Sequence, residues 1–216
     1  MSDTKEKILL TALRLFARDG YEAVSVSAIA GELGMTKGAL YKHYKNKRGI
    51  FDAIVVRMYQ IDAERAKKYK VPVETFDQGP RPYRETSVDK IKSFTEAQFQ
   101  FWTEDEFARD FRKMLTLEQY RDAEMADLYQ KCLVGGPVSY MEDLFREMAD
   151  QGLWQDRCPR RLALEFYAPF YLLLSISDAS SDRRETAEQL TVYIDEFIMK
   201  NSTEQQPTDR TTAGKI

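Results

Sequence analysis

A single histidine, His43, stands among the 216 residues. That scarcity excludes His-dependent catalytic triads and multi-histidine metal sites within one chain. Cysteine is nearly absent as well. Cys132 and Cys158 are the whole complement, and neither has a close Cys or His in sequence. A disulfide scaffold is therefore not expected; two buried structural thiols in a reducing cytoplasm are, with a redox-sensing thiol as the alternative. No glycine-rich phosphate loop occurs, because Lys37-Gly38 does not complete the required pattern. Acidic residues such as Glu104 and Asp105 are scattered at positions where solvation explains them. The N-terminus is charged and lacks an apolar h-region, and no apolar run approaches the length of a membrane span. These absences leave no catalytic constellation, and no enzyme, cofactor, metal or membrane partner is expected.

Charge of one sign is also lacking overall, the net being -3. Its distribution is uneven. Residues 1–50 hold nine Lys/Arg against five Asp/Glu, and the remainder 23 against 30. A positive head on a negative body presents one end to DNA.

What is present in that head is a helix-turn-helix pattern. Val26, Ile29, Ala30 and Leu33 recur at i, i+3, i+4 and i+7. Ser25 stands ready as N-cap, and Gly34 follows the last periodic residue, where a left-handed residue stops a helix. Thr36 offers a second cap, and Ala39 and Leu40 face back toward the first helix. A second helix so placed lies in a DNA major groove. Thr36, Lys37, Tyr41, Lys42, His43, Tyr44 and Lys45 supply cations and hydroxyls, and no carboxylate occurs from Met35 to Asn46. The plain alternative is a solvated basic helix in an ordinary bundle.

The stretch from Gly20 to Lys47, with Ile8 to Phe16 before it, resembles the N-terminal domain of the tetracycline-repressor-like (TetR/AcrR) family. Matching positions include Phe16, Gly20, Ile29, Ala30, Gly34, Leu40, Tyr41, Tyr44 and Lys47. The resemblance is close over about the first quarter of the chain, and beyond it extends to helix pattern and length only. Ala28 and Gly49 depart from it, standing where an acidic residue is frequent, so the reciprocal half of a capping box is missing at two helix starts. The resemblance implies base-edge or sugar contacts from Thr36, Lys37, Gly38 and Tyr41. It implies phosphate contacts from Ser25, Ser27, His43, Tyr44 and Lys47. Tyr41 has a second reading, with its ring packed on the first and fourth helices.

The rest of the chain reads as helix without a credible strand. Helix one is expected over Thr4 to Arg18, and Asn46 caps a long fourth helix with Ile50, Phe51, Ile54, Val55, Met58 and Ile61 apolar. Val71 to Thr86 is a loop broken firmly at Pro80-Arg81-Pro82. Further helices follow from Ser87 to Trp102 and from Thr103 or Asp105. Ala123 to Ala149 forms one long helix kinked near Gly135-Gly136-Pro137, or two. Pro159 starts the next helix, and Arg184 to Met199 is the last. Asn201 to Ile216 is expected to be a disordered tail. The fold class is thus all-α: a three-helix helix-turn-helix domain over residues 1–47, joined to a larger helical ligand-binding and dimerisation domain over 48–200.

Two expectations concern that second domain. Phe94, Phe101, Trp102, Phe107, Phe111, Met114, Tyr120, Met125, Tyr140, Phe145 and Tyr167 are candidates to line an apolar cavity, about a third of them in contact with ligand; the rival reading is plain core. The resemblance is the reason a small-molecule effector is expected at all. It also implies a homodimer through the last two helices, with Leu162, Phe166, Phe170, Leu173, Leu190, Ile194 and Phe197 at the interface. The alternative is that Leu162 to Ile176, apolar nearly all round, is the central helix of a monomer. Together the readings describe a dimeric, ligand-responsive regulator on a palindromic double-stranded DNA operator, most simply a repressor in the cytoplasm. An activator of the same family and a helical module binding protein or anionic membrane are the rivals.

Overall fold

The computed structural model describes residues 3–73, 83–154, 158–180 and 182–203. Ten helices run through these residues: α1 (Asp3–Asp19), α2 (Val26–Glu32), α3 (Lys37–Tyr41), α4 (Lys47–Tyr69), α5 (Val88–Glu104), α6 (Glu106–Glu118), α7 (Ala123–Leu133), α8 (Gly135–Asp150), α9 (Pro159–Ala179) and α10 (Arg183–Asn201). Among them the only strand-like pairing is an isolated bridge between Trp154 and Ser202. The expected break at Pro80-Arg81-Pro82 and the tail from residue 204 lie outside the described residues.

Local chemistry sets most of the boundaries. Ser25, Thr36, Asn46, Ser87 and Asp105 each accept a backbone N–H three residues on, at 2.7–3.3 Å. Each satisfies one donor that a helix start leaves without a partner. The caps at Ser25 and Asn46 form although Ala28 and Gly49 cannot return the bond. The long pattern from Ala123 to Ala149 is two helices, parted at Val134, which leaves helical geometry at φ -131°, ψ -86°. Pro137 then falls in the first turn of α8, where its missing N–H costs nothing.

Packing divides the helices into a head and a body that share α4. In the head, α1 lies on α2 and α4, and Ile8, Leu9, Phe16, Ile29, Leu40, Ile50 and Ile54 are fully buried. In the body, α9 packs along α8, α10 and α5. Phe145, Trp154, Phe166 and Phe197 meet there with ring centroids 5.1–5.8 Å apart. Along α5, Ile91, Thr95, Phe99 and Trp102 are buried, and Phe94 and Gln98 are half-buried to one side.

The predicted dimer residues require correction. Leu162, Phe166, Phe170, Leu173, Leu190, Ile194 and Phe197 are all buried within their own subunit, none more than 8% exposed. α9 is apolar on both faces, so periodicity found a true stripe without revealing which side it faced. The outward stripe is Leu164, Tyr171, Leu172 and Ile176, with Val192 and Met199 exposed on α10. By length and composition α9 is also apolar enough to cross a membrane, contrary to expectation. Its inner face is nevertheless covered by three helices. The bidentate pair Arg112–Asp178, at 2.5 and 2.7 Å, also ties its C-terminal end to α6.

Head and body meet where α1 packs on α6. Glu118, 1% exposed, accepts the Tyr21 backbone N–H at 3.0 Å. Gly20 sits above it at φ +88°, and a Cβ there would stand 2.6 Å from Glu118 Oε1. Gly20→Ala should therefore destabilise the protein by more than the roughly 1–3 kcal/mol of backbone strain alone. Gly31→Ala, in open space on α2, should be neutral or stabilise by up to about 1 kcal/mol. Urea unfolding of both variants checks this, and a Gly20→Ala midpoint equal to wild type would refute the close approach.

Candidate nucleic-acid interface and a cavity in the body

The α2–turn–α3 unit is built by backbone bonds. Leu33 ends α2, Gly34 takes φ +63°, and Met35 N–H reaches back to Ala30 O at 2.9 Å while Gly34 N–H reaches Gly31 O at 3.0 Å. These two bonds close a Schellman turn, which aims the chain directly into the Thr36 cap. α3 is held by one anchor, Leu40, at 0% exposure. Its remaining surface faces outward: Thr36, Lys37, Gly38 and Tyr41 are exposed, as are Ser25 and Ser27 at the start of α2. Tyr41 is 42% exposed, with Lys37 Nζ 5.7 Å from its ring centroid, so it does not pack beneath α1 and α4.

Three predicted contacts are placed otherwise. α3 ends at Tyr41, leaving His43 half-buried in the following turn. Tyr44 is a core residue, 5% exposed, whose hydroxyl donates to Lys5 O at 3.2 Å. Its ring spacing from Tyr41 put both on one basic helix in the sequence, whereas the early helix end turns Tyr44 inward. Lys47 donates to Tyr21 O at 2.9 Å and lies 4.3 Å from the Tyr21 ring centroid, so its ammonium braces the α1–α2 turn. Lys42 and Lys45, absent from the expected contacts, are exposed beside the same face. Between Glu32 and Asp52 the chain carries no acidic residue. A run without carboxylates is the signal that finds these two lysines.

The body holds a cavity of about 480 Å³ between α4, α5, the α7–α8 junction and α9. Of the eleven residues expected there, Phe94, Trp102, Tyr140 and Tyr167 line it. The others do not. Phe111, Met114, Met125 and Phe145 are core, Phe101 lies beneath the Arg65 guanidinium, and Phe107 stacks on Phe111. Tyr120 is 88% exposed. Pro72, Met58, Tyr59, Lys131, Cys132 and Pro137 complete much of the wall. They are too far apart in sequence for any periodic pattern to group them.

Polar groups in the wall are few. Tyr140 donates to Pro72 O at 3.3 Å and Tyr167 to Leu133 O at 2.7 Å. Burial holds both phenols well above the usual tyrosine range. Cys132 is half-buried, and burial raises its thiol to about 12, which removes the thiolate a redox sensor needs. Cys158, by contrast with the expected buried pair, is exposed at the N-cap of α9.

Asp62 also lines the cavity. It keeps an accessible face, yet burial raises its carboxyl above the ordinary range, against the opposing Gln98 hydrogen bond and Arg65 charge. The two facts agree if the open face looks into the cavity and protein encloses the rest. Gln98 Nε2 donates to Asp62 Oδ1 at 3.0 Å, and Arg65 Nε donates to Gln98 Oε1 at 2.8 Å.

Residues 8–54 match the family model described as bacterial regulatory proteins, tetR family. The chain is 44% identical over 50 residues to the uncharacterized HTH-type transcriptional regulator YerO of Bacillus subtilis, covering 23% of this chain and 17% of that one. It is 42% identical over 52 residues to the HTH-type transcriptional regulator AcrR of Shigella flexneri, covering 24% of each. The chain thus spans under a quarter of the length of these relatives. Among solved structures, SmeT, the repressor of the Stenotrophomonas maltophilia multidrug efflux pump SmeDEF, superposes with a TM-score of 0.64 at 21% identity, over 94% of this chain and 93% of that one. A SmeT–triclosan complex gives 0.69 at 19% identity, over 99% and 98%. That likeness shows a shared fold along the body as well as the head. Residues 8–54 thus carry the sequence of the tetR-family domain of bacterial regulatory proteins, set within a fold that the whole chain shares with those structures.

Proposed function

We propose that this chain is a ligand-responsive transcriptional regulator, a repressor that binds a palindromic operator as a homodimer and leaves it when a small molecule fills the cavity. The observation that carries the reading is the surface of α3. A single buried anchor leaves Thr36, Lys37, Gly38 and Tyr41 facing out, flanked by Lys42 and Lys45 and by no carboxylate. Cations on such a face hold the phosphates, and the short side chains near the N-terminus of α3 reach base edges. Ser25, Ser27 and His43 stand at the margins. Tyr44 and Lys47 act from within, fixing the angle at which α3 is presented.

Gly38 supports the reading most directly. A Cβ there would meet nothing nearer than Thr36 Oγ1 at 4.0 Å. No contact inside the protein asks for glycine in that helix, where it costs about 1 kcal/mol against alanine. Close approach of an external backbone does explain it. Gly38→Ala is thus expected to leave melting unchanged or raised, and to weaken binding to an operator selected from random duplex DNA by about tenfold, the size of one lost groove contact. Unchanged operator affinity would remove Gly38 from the interface.

The outward stripe of α9 and α10 supports the dimer. Leu164, Tyr171, Leu172 and Ile176 form an exposed apolar band at helical spacing, continued by Val192 and Met199. A second copy would cover that band in a four-helix arrangement. Leu172→Glu, at a position 60% exposed, should yield a folded monomer in sedimentation velocity, with stability changed by only about 0.5 kcal/mol within the subunit. A dimer that persists would place the interface elsewhere.

Release follows from differential binding. A ligand that favours one spacing of the two heads must bind that arrangement more tightly than the DNA-bound one, because equal affinity shifts nothing. α4 supports such a link: Lys47 to Phe51 lie in the head, and Met58 to Ala66 border the cavity on the same helix.

A further inference from the structure

The cavity has an apolar, aromatic wall and one acid. Among the described residues that line it, Asp62 is the only carboxylate, and Lys131 is the only cation, exposed to solvent at the rim. Arg65 is near but committed elsewhere. Its Nε goes to Gln98, its Nη2 to Ala97 O at 2.5 Å, and its guanidinium lies 4.3 Å from the Phe101 ring centroid, outside the lining. Gln98 Nε2 supplies one neutral hydrogen bond to Asp62 Oδ1. Among the described residues this carboxylate has one amide donor and no ion pair at contact distance, only the more remote charge of Arg65, and a carboxylate so placed at an apolar cavity is poorly compensated when water is displaced.

The three ligand charges have different consequences there. A neutral apolar ligand filling the cavity strips water from Asp62 and returns nothing. An anion meets the carboxylate directly. A cation replaces the lost water with an opposite charge at short range, in a medium of lower dielectric than solvent. The surrounding rings add to this preference. Tyr59, Phe94, Trp102 and Tyr140 line the same cavity, and an aromatic face attracts a cation through its quadrupole. The wall thus solvates a charge while matching a hydrophobic body.

We propose that the cavity selects a monovalent organic cation with an apolar or aromatic body, and that Asp62 is its counter-ion. The assignment rests on the reading of the cavity as the effector site, and deepens it by naming the ligand class. Gln98 and Arg65 act as positioning residues: the Arg65–Gln98 bond orients the amide so that its NH₂ faces the carboxylate.

The test uses the whole chain and three probes of closely matched shape: benzyltrimethylammonium, its neutral carbon isostere neopentylbenzene, and phenylmethanesulfonate. Binding is read by calorimetry and by the change in tryptophan fluorescence, to which Trp102 at the cavity and Trp154 outside its lining both contribute, with Asp62→Asn as the variant and Asp127→Asn, which does not line the cavity, as a control. The expected result is that the cation binds the wild type at least tenfold more tightly than either other probe. Asp62→Asn should lose about tenfold for the cation and none for neopentylbenzene, while Asp127→Asn changes neither. Preference for the neutral probe or the sulfonate, cation binding that survives Asp62→Asn, or no cation binding at millimolar probe would each overturn the proposal. Operator binding is measured in parallel. Asp62-dependent cation binding that leaves operator affinity unchanged would uphold the ligand class and refute the release mechanism.

Discussion

The Glu118 carboxylate lies almost wholly buried beneath the turn that ends α1, where it accepts the Tyr21 backbone N–H. Both ends of that contact are constrained. Gly20 must be glycine for the turn to approach, and Glu118 must keep its partner because a buried carboxylate without one is costly. Arg121, at 3.4 Å, adds charge from the exposed side. Since α1 carries the floor of the head and α6 belongs to the body, this junction sets where the head stands. Arg48 reinforces it, pairing with Glu124 of α7 and with Asp52 at 2.6 Å. Those Arg48 pairs are exposed and screened by salt, so they guide orientation more than they stabilise it.

The head is thus fixed at two places, by α6 beneath α1 and by the continuous α4. With 23 residues at about 1.5 Å each, α4 extends over roughly 35 Å. Ile50 and Phe51 bury one end in the head, while Met58, Asp62 and Ala66 border the cavity. Packed interfaces of this kind shift between discrete arrangements rather than deform smoothly. In the proposed release, a ligand against the middle of α4 would act on the head through that continuous helix.

How much of this was legible in the sequence varies with the range of the forces involved. Ser25, Gly34, Thr36 and Asn46 act on neighbours within a few residues, so their type and spacing were enough to place three helix starts and one stop. Leu40 was legible for the same reason. Tyr41 and Tyr44 were not separable, because their fates depend on where α3 ends, a matter decided by packing against α1. The α9 stripe failed for a different reason: a helix apolar on both faces carries two valid stripes, and only the position of α8 and α10 selects between them. The cavity was least legible. Phe94 and Phe111 are both apolar helix positions, yet one lines the space and the other fills core, since Pro72, Lys131 and Pro137 complete the wall from distant parts of the chain.

Asp62 shows what such reading passes over. In the sequence it follows Ile61, where α4 turns from apolar to polar, and looks like the first residue of a solvated face. In the fold it borders the cavity beside Gln98 of α5 and Cys132 of α7, an accessible acid at a mainly apolar wall. Local consistency is the rule that makes a chain foldable, and departures from it concentrate where function outweighs stability. An asparagine or leucine at position 62 would satisfy packing at lower electrostatic cost. Retaining a carboxylate there makes sense if its compensation arrives from outside, carried by the molecule that the cavity admits.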